Sequence, residues 1–120
     1  MRKLLVFGVA VLLLTACATT FIASTQQGLT ISLESVNAFL IIEKANAVEM
    51  DKLMPGCHAF AEQLRVKFPT VYKDALAAVD AYKAASVQTG TPQNNVVITA
   101  AVVTSLAQSA QAYLAKWGTK

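Results

Sequence analysis

Charge is scarce in this 120-residue chain: Asp, Glu, Lys and Arg together make up 14% of it. No run of Lys or Arg follows residue 3, so the basic stripe that a nucleic-acid-binding domain needs is missing. The later bases, Lys44, Lys52, Arg65 and Lys67 among them, stand singly among acids, as on an ordinary solvated surface. Histidine occurs once and cysteine twice, with neither a CxxCH haem signature nor paired-cysteine zinc spacing. Three prolines and five glycines leave few places where a helix must stop. No Gly-rich phosphate loop or nucleophile elbow occurs, and a Ser-His-Asp triad would have to use the single His58. An enzyme is therefore not expected.

What is present is first an N-terminal pattern. Arg2 and Lys3 precede an apolar run over residues 4–14, and Leu14, Thr15, Ala16 and Cys17 follow directly. The two cations suit retention on the cytoplasmic side, and the run suits an export channel. It is too short for a permanent span, which takes about 20 apolar residues. A plain secretory signal or an uncleaved short anchor are the simpler alternatives.

The four residues ending at Cys17 resemble the lipobox of bacterial lipoproteins. That resemblance covers residues 1–17 and carries no domain family with it. It implies cleavage before Cys17, a diacylglycerol on the Cys17 sulfur and often an acyl chain such as palmitate on the new amino group. Two or three chains anchor a protein stably where one does not. Ala18 rather than Asp follows the cysteine, which in enteric-type sorting implies the outer membrane, facing the periplasm.

Removal of residues 1–16 takes Arg2 and Lys3 with it. The chain has ten bases and seven acids, so eight bases then face seven acids. The basic pI is thus mainly a property of the leader. Residues 17–20 form a lipidated tether, of which Ala18, Thr19 and Thr20 span roughly 10 Å at full stretch. So short a leash sets Phe21 and Ile22 near the headgroups.

The remaining residues, 21–118, suit one compact helical domain. Ile22, Leu29, Leu33, Val36, Leu40, Ala47, Met50 and Met54 recur at three-four spacing and predict a first helix from Phe21 to Met54. Phe39, Ile41, Ile42 and Val48 lie off that stripe, which makes the helix central. Gly28 marks a kink or a late start. The alternation at Leu29, Ile31 and Leu33 is the minor, strand-like reading. Met54, Pro55 and Gly56 end the helix.

A short helix is expected over residues 57–68, with Phe60, Ala61, Leu64 and Phe68 on one face and His58, Glu62 and Arg65 on another at pairing distance. Pro69 stops it, and Thr70 caps a third helix with the seam Tyr72, Ala75, Val79, Tyr82 and Ser86. Residues 88–94 read as a loop, and Asn94 or Asn95 caps a last helix with the seam Val96, Val103, Leu106, Ala110, Tyr113 and Trp117. A strand at Val96 is the alternative there, because β-branched residues lower helicity. The expected architecture is all-α: a small up-and-down bundle of three long helices plus one short helix, after a cleaved signal peptide.

Two features invite chemical readings. Glu43 falls on the apolar stripe of the first helix; it is either a functional buried carboxylate or, as burial statistics favour, a group brought by register drift to the surface or beside a lysine. Met50, Met54, Cys57 and His58 gather soft ligands within nine residues, a set suited to monovalent copper, although the first three also match core positions. Core packing is the favoured reading, so neither cofactor nor metal is expected. With Cys17 lipidated, Cys57 has no intrachain partner and is either a buried thiol, the favoured reading, or an intermolecular bridge.

The functional expectation is a lipid-anchored, non-enzymatic interaction or structural module, bound to the membrane through Cys17 and to a protein partner in the envelope. The alternatives are a periplasmic binder of a small ligand or a copper-like metal, and an exclusion or immunity lipoprotein.

Overall fold

Three helices make up the computed structural model: α1 (Arg2–Leu53), α2 (Cys57–Ala84) and α3 (Thr91–Gly118). The structure describes residues 21–119, so the leader of residues 1–16, Cys17 and the 17–20 tether lie outside the described residues. All-α is the architecture, and both stretches with a strand-like alternative, residues 29–33 and 96–98, are helical.

Ring contacts set the directions of the helices. Phe21 near one end of the described α1 meets Tyr82 in the last turn of α2, with centroids 5.2 Å apart. At the other end Phe39, Phe60 and Tyr113, one from each helix, lie 5.3–5.9 Å from one another. So α2 runs antiparallel to α1, and α3 returns parallel to it. Phe39, off the expected stripe, is fully buried at the centre of this knot. A buried side chain of that size contributes about 1.5–3 kcal/mol by leaving water.

The expected core stripes hold with changes of detail. Leu29, Val36, Met50 and Met54 of α1, Ala61, Leu64, Phe68, Ala75, Val79 and Tyr82 of α2, and Val96, Val103 and Ala110 of α3 are buried. Ala107 joins them. By length and composition alone α3 could cross a membrane, but its Val96, Val103, Ala107 and Ala110 face is packed in the shared core.

The expected short fourth helix is absent among the described residues, because Pro69 lies inside a continuous α2. Proline removes one N–H from the ladder and crowds the carbonyl four residues back, which normally breaks a helix. Here tertiary packing outweighs that cost. Leu64 and Phe68 before the proline and Ala75 after it belong to one buried stripe, and the Phe68 and Tyr72 rings stack across it at 5.8 Å. Pro69 itself faces solvent.

Gly28 leaves α1 unbroken, and the irregularity falls at Asn46, with φ −131° and ψ 25°. The Asn46 side-chain amide donates to the Ile42 carbonyl at 2.9 Å, so an acceptor in the distorted turn is satisfied locally. Gly56 takes the left-handed φ of 92° required where α1 reverses into α2. The cap of α3 is Gly90, with Pro92 in its first turn, rather than Asn94 or Asn95. Proline's preset φ favours the helix start there, and Asn94 donates its own N–H to Gly90 at 2.9 Å.

Pro69→Ala should stabilise the protein by about 1–3 kcal/mol, the helix-interior proline penalty less what the fold has relaxed. Gly56→Ala should destabilise it by about 1 kcal/mol, because a Cβ is strained at that φ. Urea unfolding of both variants checks the pair. A destabilised Pro69→Ala would mean that the proline is needed where it sits.

Candidate functional site

Glu43 is the organising residue of the polar cluster between α1 and α2, and its side chain is fully buried. The expectation that drift carries it to the surface is overturned. Position 43 stays on the inward stripe, and an arginine and a histidine from α2 close over it. Its Oε1 lies 2.6 Å from His58 Nδ1, and its Oε2 accepts from Arg65 Nη2 at 2.7 Å. Both contacts join the two helices, through residues 15 and 22 positions apart in sequence.

Arg65 holds more than the carboxylate. Nη2 also donates to the Leu40 carbonyl at 3.2 Å, and Nη1 donates to Glu62 Oε1 at 2.6 Å. Glu62 lies 3.9 Å from His58 Nε2, so the expected pairing face of His58, Glu62 and Arg65 does form. A second acid of α1, Asp51, accepts the backbone N–H of His58 at 3.2 Å. That N–H is one of the unpaired donors of the first turn of α2, whose own cap Gly56 has no side chain to offer.

The electrostatics follow from these contacts. The hydrogen bond to Glu43 is the main reason that His58 has its pKa raised above the ordinary 6.5, against a smaller opposing effect of desolvation. Fields from Glu43, Glu62 and Asp51 add to the rise. A carboxylate beside Nδ1 also fixes the neutral tautomer with its proton on that nitrogen. Arg65 is raised for the same first cause. Burial, aided by the negative charges of Glu43 and Asp51, pushes the Cys57 thiol up from its ordinary value.

Cys57 is therefore a protonated thiol in the core, free and fully buried, as expected. Its burial and raised pKa are the opposite of the exposed, lowered-pKa setting that activates a cysteine. Met50 and Met54 are buried beside it in the same core, while His58 turns to Glu43. Among the described residues no group of three or more His, Cys, Asp or Glu side chains is placed to hold a metal ion. Every buried side-chain N or O among the described residues has a partner. Chemically the cluster is a charge clamp between two helices, with Glu43 buried inside it and the His58 and Glu62 side chains half exposed at its rim.

A separate groove of about 420 Å³ lies along α1 and α2, lined by Leu33, Asn37, Leu40, Leu64, Arg65, Phe68, Pro69 and Tyr72. That size is within the range of small-molecule pockets. It follows from the arrangement around Pro69, which the expected break of the helix there had hidden.

The fold and the cluster define a three-helix bundle whose first two helices are joined by a buried ionic clamp. Comparison with family models, with curated proteins and with solved structures finds no match for the chain.

Two measurements probe the clamp. Arg65→Met should lower the unfolding free energy by about 3 kcal/mol, the scale for stripping a partner from a buried charge, while Glu43→Leu combined with Arg65→Met should recover most of that loss. A cost for Arg65→Met below about 1 kcal/mol would mean that Glu43 is not held as described. For His58 the folded pKa lies above the unfolded one, so its contribution is complete below pH 6.5 and is lost as pH rises through the raised value. Thermal midpoints should fall over that interval in the parent protein and stay flatter in His58→Gln.

Proposed function

We propose that this chain is a lipid-anchored lipoprotein of the bacterial cell envelope, a non-enzymatic interaction or structural module. The observation that carries the reading is the sequence Leu14, Thr15, Ala16, Cys17 directly after an apolar run and two cations. Residues 1–16 are removed, Cys17 carries the lipid, and the body faces the periplasm at the outer membrane. Residues 21–118 then form the working domain, with its partner a protein of the envelope.

The helical body supports this reading through what its polar groups already do. Its buried carboxylate is consumed by Arg65 and His58, and its thiol is protonated in the core. Exposed apolar side chains such as Ile41 and Val48 on α1 and Val66 on α2 remain available to a partner. A second reading, small-ligand binding, is favoured by the groove of about 420 Å³ beside Pro69.

Crosslinking with mass spectrometry on membranes that carry the native protein tests the first reading. Reproducible links should join lysines of this body to an envelope protein, and Cys17→Ala should abolish both fatty-acid labelling and outer-membrane fractionation. Unchanged labelling in Cys17→Ala would overturn the anchor. For the second reading, Leu40→Trp should fill the groove and abolish any ligand-induced thermal shift seen in the parent.

A further inference from the structure

Charge is distributed unevenly along the bundle axis. Among the described residues, 21–33 of α1 and 84–115 contain no Asp, Glu, Lys or Arg at all. Because α1 and α3 are parallel, both charge-free stretches reach the same end. At the opposite end α1 carries Glu43, Lys44, Glu49, Asp51 and Lys52, and α2 carries Glu62, Arg65 and Lys67. Alongside these stretches α2 carries Lys73, Asp74, Asp80 and Lys83, of which Asp80 and Lys83 lie near Tyr82 at the end itself.

Side-by-side contacts fix the levels of the two parallel helices. Gln111 donates to Ser35 at 2.8 Å, and Tyr113 lies against Phe39 with centroids 5.9 Å apart. Val97 and Ile98 are thereby level with residues 21–24 of α1. The 85–90 connection belongs to the same level, since Tyr82 meets Phe21. At this level three large apolar side chains point outward, Val87 65% exposed, Val97 52% and Ile98 62%, among the uncharged polar residues Ser24, Ser86, Thr89, Asn94 and Asn95.

We infer that this end of the bundle is a membrane-contact face, with Val87, Val97 and Ile98 seated in the headgroup layer of the bilayer that holds the anchor. The inference rests on the lipidation of Cys17 and goes beyond it. From Cys17 to Phe21 the chain covers about 6 Å as helix and about 14 Å fully extended. One headgroup layer is itself roughly 5–8 Å thick, so residues level with Phe21 reach it without unfolding.

Absence of charge is what selects lipid as the occupant. Seating an Asp or Lys at the acyl boundary is costly, and this end offers the boundary none on α1 or α3. The core face of α3, shared with the charged helix α2, speaks against a spanning role. The helix lies against the interface as one wall of a packed domain.

The test uses the full-length lipidated chain in phosphatidylethanolamine–phosphatidylglycerol vesicles. An environment-sensitive dye is placed on Ile98→Cys or, as a control at the charged end, on Val66→Cys, which replaces a residue 75% exposed in the native protein. Both are made with Cys57 retained, since it is buried, and again with Cys57→Ala. At position 98 the dye should shift to the blue and lose more than about half its emission to a lipid-borne quencher, as expected for a group 5–10 Å into the boundary. At position 66 it should be little affected.

Equal quenching at the two positions, in a sample that floats with its vesicles and carries acyl chains, overturns the contact face and leaves the anchor standing. Shielding at position 98 that comes from a second copy, seen as dye self-quenching without lipid quenching, also overturns it. A chain that neither floats nor carries acyl chains overturns the anchor and the contact face together.

Discussion

A buried carboxyl group is costly unless its oxygens find partners, and Glu43 has two, Arg65 and His58. Both come from α2, so the requirement that Glu43 be paired sets how far α2 slides along α1 and which face it presents. Apolar stripes of alanine, valine and leucine are permissive about such sliding. Paired charges inside a low-dielectric interior are not, because losing one partner exposes the full desolvation cost of the other. The aromatic knot of Phe39, Phe60 and Tyr113 sits within a turn or so of the clamp, and brings α3 into the same register.

The helical nature of the chain was legible from periodicity alone. Three-four spacing marked Leu29, Val36, Met50, Leu64, Val79 and Val103, all of which are buried. Local signals failed where tertiary contacts outweigh them. Pro69 reads as a stop, but a buried stripe continues on both sides of it, so the two expected helices are one. Asn94 and Asn95 read as caps, yet Gly90 and Pro92 start α3 earlier.

The clamp was half legible. Spacing put His58, Glu62 and Arg65 on one face, and Glu43 stood out on an apolar stripe. Nothing in local spacing says that these two observations describe one contact, since residues 43 and 65 meet only after the chain reverses at Gly56. A lone acid on an otherwise apolar helical stripe, with basic residues on the next helix, is the signal that could have joined them. Cys57 was placed in the core from its match to the apolar face, and it lies there.

Function is read from the N-terminal residues and from the long-range pattern of charge, since the polar side chains of the core are occupied in holding the helices together. A bundle pinned by Glu43 at one end, with α1 and α3 free of charge at the other, has a polarity along its axis, and the proposed lipid at Cys17 belongs to that second end. The most direct test is the intact mass of the protein extracted from its native membrane. Lipidation predicts a chain that begins at Cys17 and carries the added mass of a diacylglycerol and an amide-linked acyl chain. A mass equal to the unmodified chain, or to one that still carries residues 1–16, would contradict it.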